Sequence, residues 1–212
     1  MRFNSKKTLL TLTIFSGMAL LPMSCDITDP FCNNSCGCDP ISPAKDFIVK
    51  GFETENIQAN GNEANSENFY PFDQVFKTIS LGEIEYLAIQ DSKKSNSFPG
   101  MAFACSLVPA KSANQLINIQ IFNMENVNLG DGDSLAIGQD ITPLFGINYI
   151  HNQGTRPISE FLEEGLTIYF GDVYKLQFLK DPTEEVELTF SIRIQLQGGQ
   201  EFNLQNEILK IS

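Results

Sequence analysis

Residues 185–197 read Glu185-Val186-Glu187-Leu188-Thr189-Phe190-Ser191-Ile192-Arg193-Ile194-Gln195-Leu196-Gln197, and this stretch decides the fold. Val186, Leu188, Phe190, Ile192, Ile194 and Leu196 share one parity, while Glu187, Thr189, Ser191, Arg193, Gln195 and Gln197 share the other. Successive side chains of a strand point to opposite faces, so alternation of this length predicts a strand with one buried and one wet face. Gly198-Gly199 follows at once, and two glycines supply the positive φ of a two-residue hairpin turn. The return strand carries Phe202 and Leu204 and is continued by 208–211.

The same rules extend outward. Strands are expected over 47–52, at 76–81 and 84–90 around Gly82, at 117–121, and at 166–170 and 174–179 around Gly171-Asp172. Residues 101–108 are apolar in both parities, which suits a central strand that would bury Cys105 on one face. One short helix is expected over 158–164, with Pro157 at its start and Gly165 at its end. The stretch 53–71 is rich in Asn and Glu and reads as a long exposed loop. No internal repeat is present. Eight or nine short strands with at most one short helix predict an all-β fold, an antiparallel β-sandwich with immunoglobulin-like layering over residues 45–212. A barrel is the alternative.

The chain has 212 residues, enough for one domain with a sizeable core. Hydrophobic residues at 42% and charged residues at 19% mark a globular composition. The formal net charge of −12 argues against a nucleic-acid partner, which demands a basic surface. No apolar run is long enough for a transmembrane helix.

The N-terminus reads as an address. Arg2, Lys6 and Lys7 form a basic n-region and 8–23 an apolar h-region, the pattern of a secretory signal peptide over 1–24. It ends in Leu21-Pro22-Met23-Ser24-Cys25. A small residue directly before a Cys at this place resembles the lipobox of bacterial lipoproteins, with Pro22 where that motif usually carries Leu. The resemblance implies that Cys25 is acylated (palmitate-type chains) and becomes the new N-terminus. Loss of Arg2, Lys6 and Lys7 with the signal moves the net charge from −12 to about −15. An acidic body is not held on an anionic membrane by charge, so acyl chains must hold it.

The remaining cysteines, Cys32, Cys36, Cys38 and Cys105, are an even set in an oxidising compartment, where disulfides are the default. A bridge between Cys36 and Cys38, separated only by Gly37, would be strained. With both bonds formed, one of these two pairs with Cys105 and the other with Cys32. Closing a loop of about 70 residues would add roughly 4 kcal/mol by chain entropy. A metal site on Cys-x3-Cys-x-Cys is the rival, but zinc and iron–sulfur sites favour a Cys-x2-Cys knuckle. Residues 25–44, with Pro30, Pro40 and Pro43, read as a Cys-rich tether.

Signals for chemistry are sparse. His151 is the single histidine, so any Ser–His–Asp or Cys–His mechanism must use it, and no Gly-x-Ser-x-Gly elbow accompanies it. Asp131 and Asp133 sit in Asn128-Leu129-Gly130-Asp131-Gly132-Asp133-Ser134. This could hold calcium, but it lacks the distal Glu of an EF-hand loop, and a plain Asp-Gly turn between Val127 and Leu135 explains it equally well. Glu163-Glu164 and Glu184-Glu185 are sequence neighbours suited to solvated turns. Sugar platforms favour exposed aromatics, and with no Trp present the candidates are Tyr70, Tyr149, Tyr169 and Tyr174. No catalytic set, resident metal or cofactor is expected.

The layout of lipobox Cys25, a segment reading Cys32…Cys36-Gly37-Cys38-Asp39-Pro40 and an all-β body resembles small lipoproteins of the Bacteroidetes type. Asp26 and Asp29 are similar to the acidic export signal of that group's surface lipoproteins. The resemblance implies an envelope location, on the outer-membrane surface or the periplasmic face, and assigns no catalytic residue. Two functions are expected to compete. One is a non-enzymatic binding or accessory module with an envelope protein or glycan partner. The other is a lipid-anchored, carboxylate-based hydrolase acting on polysaccharide.

Overall fold

The hairpin that opens the sequence reading is also the longest feature of the structure. In a computed structural model, which describes residues 46–87, 109–130 and 132–212, the alternating stretch is a strand over Val186–Leu196 and its return partner runs over Glu201–Ile211. Gly198 and Gly199 take φ of 94° and 88° in the turn between them. In chain order the strands are β1 Phe47–Val49, β2 Phe52–Gln58, β3 Val75–Leu81, β4 Ile84–Tyr86, β5 Leu116–Asn123, β6 Val127–Gly130, β7 Asp133–Leu135, β8 Phe145–Tyr149, β9 Arg156–Pro157, β10 Val173–Phe178, β11 Val186–Leu196 and β12 Glu201–Ile211. Among the described residues the helical elements are a 3-10 turn at Thr142–Leu144 and one α-helical turn at Ile158–Phe161.

The strands build a five-stranded antiparallel sheet in the order β2-β3-β10-β8-β9 and a three-stranded one in the order β12-β11-β5. Two ribbons, β1-β4 and β6-β7, complete the set. The two larger sheets share one core. Ile79, Phe145, Ile147, Leu176 and Phe178 come from the first, and Ile119, Ile121, Leu188, Phe190, Ile192 and Ile194 from the second, all essentially inaccessible to water. Phe145 and Phe190 meet across the interior with ring centroids 5.4 Å apart. The fold is therefore an all-β antiparallel sandwich with immunoglobulin-like layering.

Several boundaries differ from the sequence reading. The expected strand 47–52 divides at Gly51 into β1 and the start of β2. The expected loop 53–71 begins as strand: β2 runs to Gln58, and the loop proper follows it. Its inward residues after Phe52 are Thr54 and Asn56, in register with Ile79 and Lys77 of β3, so no hydrophobic alternation marks it. The expected strand 166–170 is instead irregular, with single bridges at Leu166 and Tyr169. The helix stops at Phe161, and Gly165, at φ 72°, closes the turn after it. Ile117 is 45% exposed, because a register irregularity against Gln195/Leu196 turns it outward while Leu116 and Ile119 fill the core. The signal peptide 1–24, the tether 25–44, all five cysteines, the whole of the expected strand 101–108, the end of the expected strand 84–90 and Asp131 lie outside the described residues.

Candidate functional site

Two groups of polar side chains stand out from this apolar sandwich, one at the end of the five-stranded sheet and one between the sheets. The first is built on neighbouring strands. β8 and β10 pair so that Tyr149 lies opposite Tyr174, and their rings sit 5.3 Å apart. The helical turn lays Phe161 against both, at 5.5 Å from Tyr149 and 6.0 Å from Tyr174. Such tilted and edge-on contacts are the favoured aromatic geometries. Asp172 precedes β10. Its Oδ2 accepts the Tyr169 backbone N–H at 2.8 Å and the Tyr174 hydroxyl at 3.3 Å. Gly171, at φ 92°, permits the turn, and the Asp172 N–H closes it onto the Tyr169 carbonyl at 3.0 Å. The braced turn leaves Tyr169 38% and Phe170 58% exposed. Arg156 enters from β9, its guanidinium 4.7 Å from the Phe161 ring centroid.

The electrostatics follow from this packing. Burial, then the Asp172 charge, the neighbouring Tyr149 and the hydrogen bond to Asp172, push the Tyr174 phenol far above its ordinary value. Tyr149 is raised for the same first two reasons, burial and then Asp172; Arg156 opposes the shift and Tyr169 adds to it. Both phenols are therefore neutral hydrogen-bonding groups at physiological pH. Among the described residues, Arg156 has no carboxylate at ion-pair distance, and Asp172 Oδ1 has no hydrogen-bond partner. The end of the sheet thus offers exposed aromatic faces, a braced carboxylate and a stacked guanidinium.

The second group closes on itself. Lys77 of β3 and Glu207 of β12 both point inward and meet at 3.0 Å, with side chains 6% and 15% exposed. Thr54 of β2 donates its hydroxyl to the same Glu207 oxygen at 2.5 Å. Asn56 donates to the Ile208 carbonyl at 2.9 Å, while its Oδ1 is buried with no partner among the described residues. A bulge aims Glu207. The β11–β12 register shifts between Phe190 and Ile192, and Asn206 sits there at φ 60° in the left-handed region that Asn tolerates. Burial lowers the Lys77 pKa more than the charge and hydrogen bond of Glu207 restore it.

The structure thus gathers three of the four tyrosines named from the sequence around Asp172 and leaves the fourth apart. Tyr70 bridges to Ile211, and its hydroxyl accepts the Asn65 backbone N–H at 3.0 Å. It lines a shallow depression with Asn56, Asn65 and Lys210 that encloses about 10 Å³, space for roughly one water. His151 is exposed in the turn after β8. Asp133 opens β7 and its carboxylate meets Lys180 Nζ. Glu163, Glu164, Glu184 and Glu185 are exposed in turns or at strand starts. No group of three metal-ligating side chains occurs among the described residues. Arg156, Phe161, Phe170 and Asp172 were not singled out from the sequence. Two consecutive aromatics directly before Gly171-Asp172 are the signal that could have found Phe170 and Asp172.

No known protein family matches the chain, and no curated protein matches it. Among solved structures, one match is the C-terminal domain of the AgI/II polypeptide BspA of Streptococcus agalactiae, at 10% identity and a TM-score of 0.28. It covers 76% of this chain, which spans about half (49%) of the matched one. A likeness at that score carries no argument about fold or function here.

Proposed function

We propose that the chain is a non-enzymatic binding module of the cell envelope, held there by acyl chains on Cys25 and working through the Tyr149–Asp172 end of its sandwich. One observation carries the binding reading: Tyr169 and Phe170 are displayed to water on a turn that Asp172 braces. Consecutive large apolar side chains exposed on a braced turn mark a contact surface more often than a folding requirement. The anchor reading rests on the sequence of 1–25 and on the acidic body, which leaves lipid as the means of attachment.

The two halves are tested separately. Metabolic labelling with radioactive palmitate is expected to mark the wild-type chain and not Cys25→Ala, and membrane fractionation is expected to release Cys25→Ala into the soluble fraction. Unlabelled wild-type protein would refute the anchor. A photo-crosslinking amino acid at position 170 is expected to capture an envelope component in intact cells. Failure there, with efficient capture from a distant surface position such as Asn60, in the β2–β3 loop at the other end of the sheet, would refute the assigned binding surface.

A further inference from the structure

Resting on that reading, we propose that the occupant of this surface is an uncharged polysaccharide, stacked on Tyr169 and Phe170 and hydrogen-bonded by Asp172, Arg156 and Tyr149. Three observations select this chemistry. Exposed aromatic rings fit the apolar C–H faces of sugar rings, which bring hydroxyls at their edges. The polar groups at hand match those edges. Among the described residues Asp172 Oδ1 is an open acceptor, held in place through Oδ2 by the Tyr169 N–H and the Tyr174 hydroxyl. The Arg156 guanidinium, steadied on Phe161 at 4.7 Å, is a donor fork without an acidic partner among the described residues. Both phenols keep their protons, so Tyr149 serves as donor or acceptor.

Charge decides between sugar classes. Arg156 and the exposed Lys111, which bridges to Tyr169, stand against Asp172 at the site, while the chain as a whole carries −12, so the long-range field repels a polyanion and is indifferent to a neutral chain. An acidic polysaccharide would meet the two cations Arg156 and Lys111 only against the Asp172 carboxylate and the field of an acidic body. A peptide would need an apolar groove or a free run of strand edge here, and the surface instead carries two exposed aromatic residues on a braced turn beside hydrogen-bonding side chains.

The test is affinity electrophoresis of the full mature chain in detergent, in gels containing laminarin, dextran, mannan or galactan, with polygalacturonate as the acidic control. At least one neutral polysaccharide is expected to retard the wild type. Phe170→Ala and Asp172→Asn are expected to weaken that retardation at least about tenfold, Phe170→Tyr to restore it, and polygalacturonate to retard none of them. Far-ultraviolet circular dichroism and urea melts identify any variant that fails to fold. Retardation by no neutral polysaccharide, by polygalacturonate preferentially, or equally for wild type and Phe170→Ala overturns the proposal. If no polysaccharide is bound while the crosslinker at position 170 captures a protein in cells, the glycan inference falls and the binding-module reading stands. If both experiments fail, both fall.

Discussion

The inter-sheet seam of Thr54, Lys77 and Glu207 and the aromatic end around Asp172 contain similar chemistry, a carboxylate with hydroxyl and cationic neighbours, and put it to opposite uses. In the seam the carboxylate is shut between two sheets and its partners are fully committed: Lys77 at 3.0 Å and Thr54 at 2.5 Å. At the aromatic end only one oxygen of Asp172 is committed, and the nearby cation stacks on a ring instead of pairing with it. The difference teaches that polarity within an apolar sandwich is structural where it is mutually satisfied and available where it is braced but incomplete.

The largest effect expected is in the seam. Glu207→Ala leaves Lys77 buried without its counter-charge and is expected to cost about 3 kcal/mol in urea unfolding, since breaking a buried pair exposes the full desolvation penalty of the survivor. The paired replacement Lys77→Met with Glu207→Leu is expected to recover most of that loss. Burial already outweighs the attraction of Glu207 at Lys77, and buried ion pairs often do not repay their desolvation. A double variant as unstable as Glu207→Ala would show that the seam is a net source of stability.

The pH dependence separates the regions next. Burial holds Lys77 below its ordinary 10.5, so the unfolded chain binds more protons and stability rises with pH as that window is crossed. Tyr174 lies above its ordinary 10.0, so the folded chain keeps a proton that the unfolded chain gives up, and stability falls above pH 10. Urea melts between pH 8 and 11.5 are expected to show a smaller rise in Lys77→Met, where Lys175 is still lowered by burial, and a smaller fall in Tyr174→Phe, where Tyr149 is still raised. The second variant also costs about 1 kcal/mol at neutral pH, the worth of its hydroxyl bond to Asp172. The smallest stability effect is expected at Phe170→Ala, within about 0.5 kcal/mol, because an exposed side chain loses little when truncated.

How legible these regions are in the sequence follows from the same contrast. The β11–β12 hairpin declares itself because its inward side chains are apolar over six alternations and its turn is Gly198-Gly199. β2 hides because its inward face is the seam itself: Thr54 and Asn56 replace the apolar half of the alternation, and the stretch reads as loop. Glu207 hides further, since its parity depends on the bulge at Asn206, which no periodicity of hydrophobic residues encodes. At the aromatic end, the tyrosines are legible as residue types. Their convergence depends on the β8–β10 register and on Phe161 arriving from the helical turn, long-range facts that local patterns do not hold.

The most direct test of the division between a closed seam and an open end is the shift in urea midpoint that a retained neutral polysaccharide produces in wild type, Glu207→Ala and Phe170→Ala. A ligand that binds only the folded state adds RT ln(1 + [L]/Kd) to stability, about 2.7 kcal/mol at a hundredfold excess over Kd. The account predicts the full shift in wild type and in the destabilised Glu207→Ala, and little or none in the stable Phe170→Ala. An undiminished shift in Phe170→Ala, or its loss in Glu207→Ala under folded conditions, would contradict it.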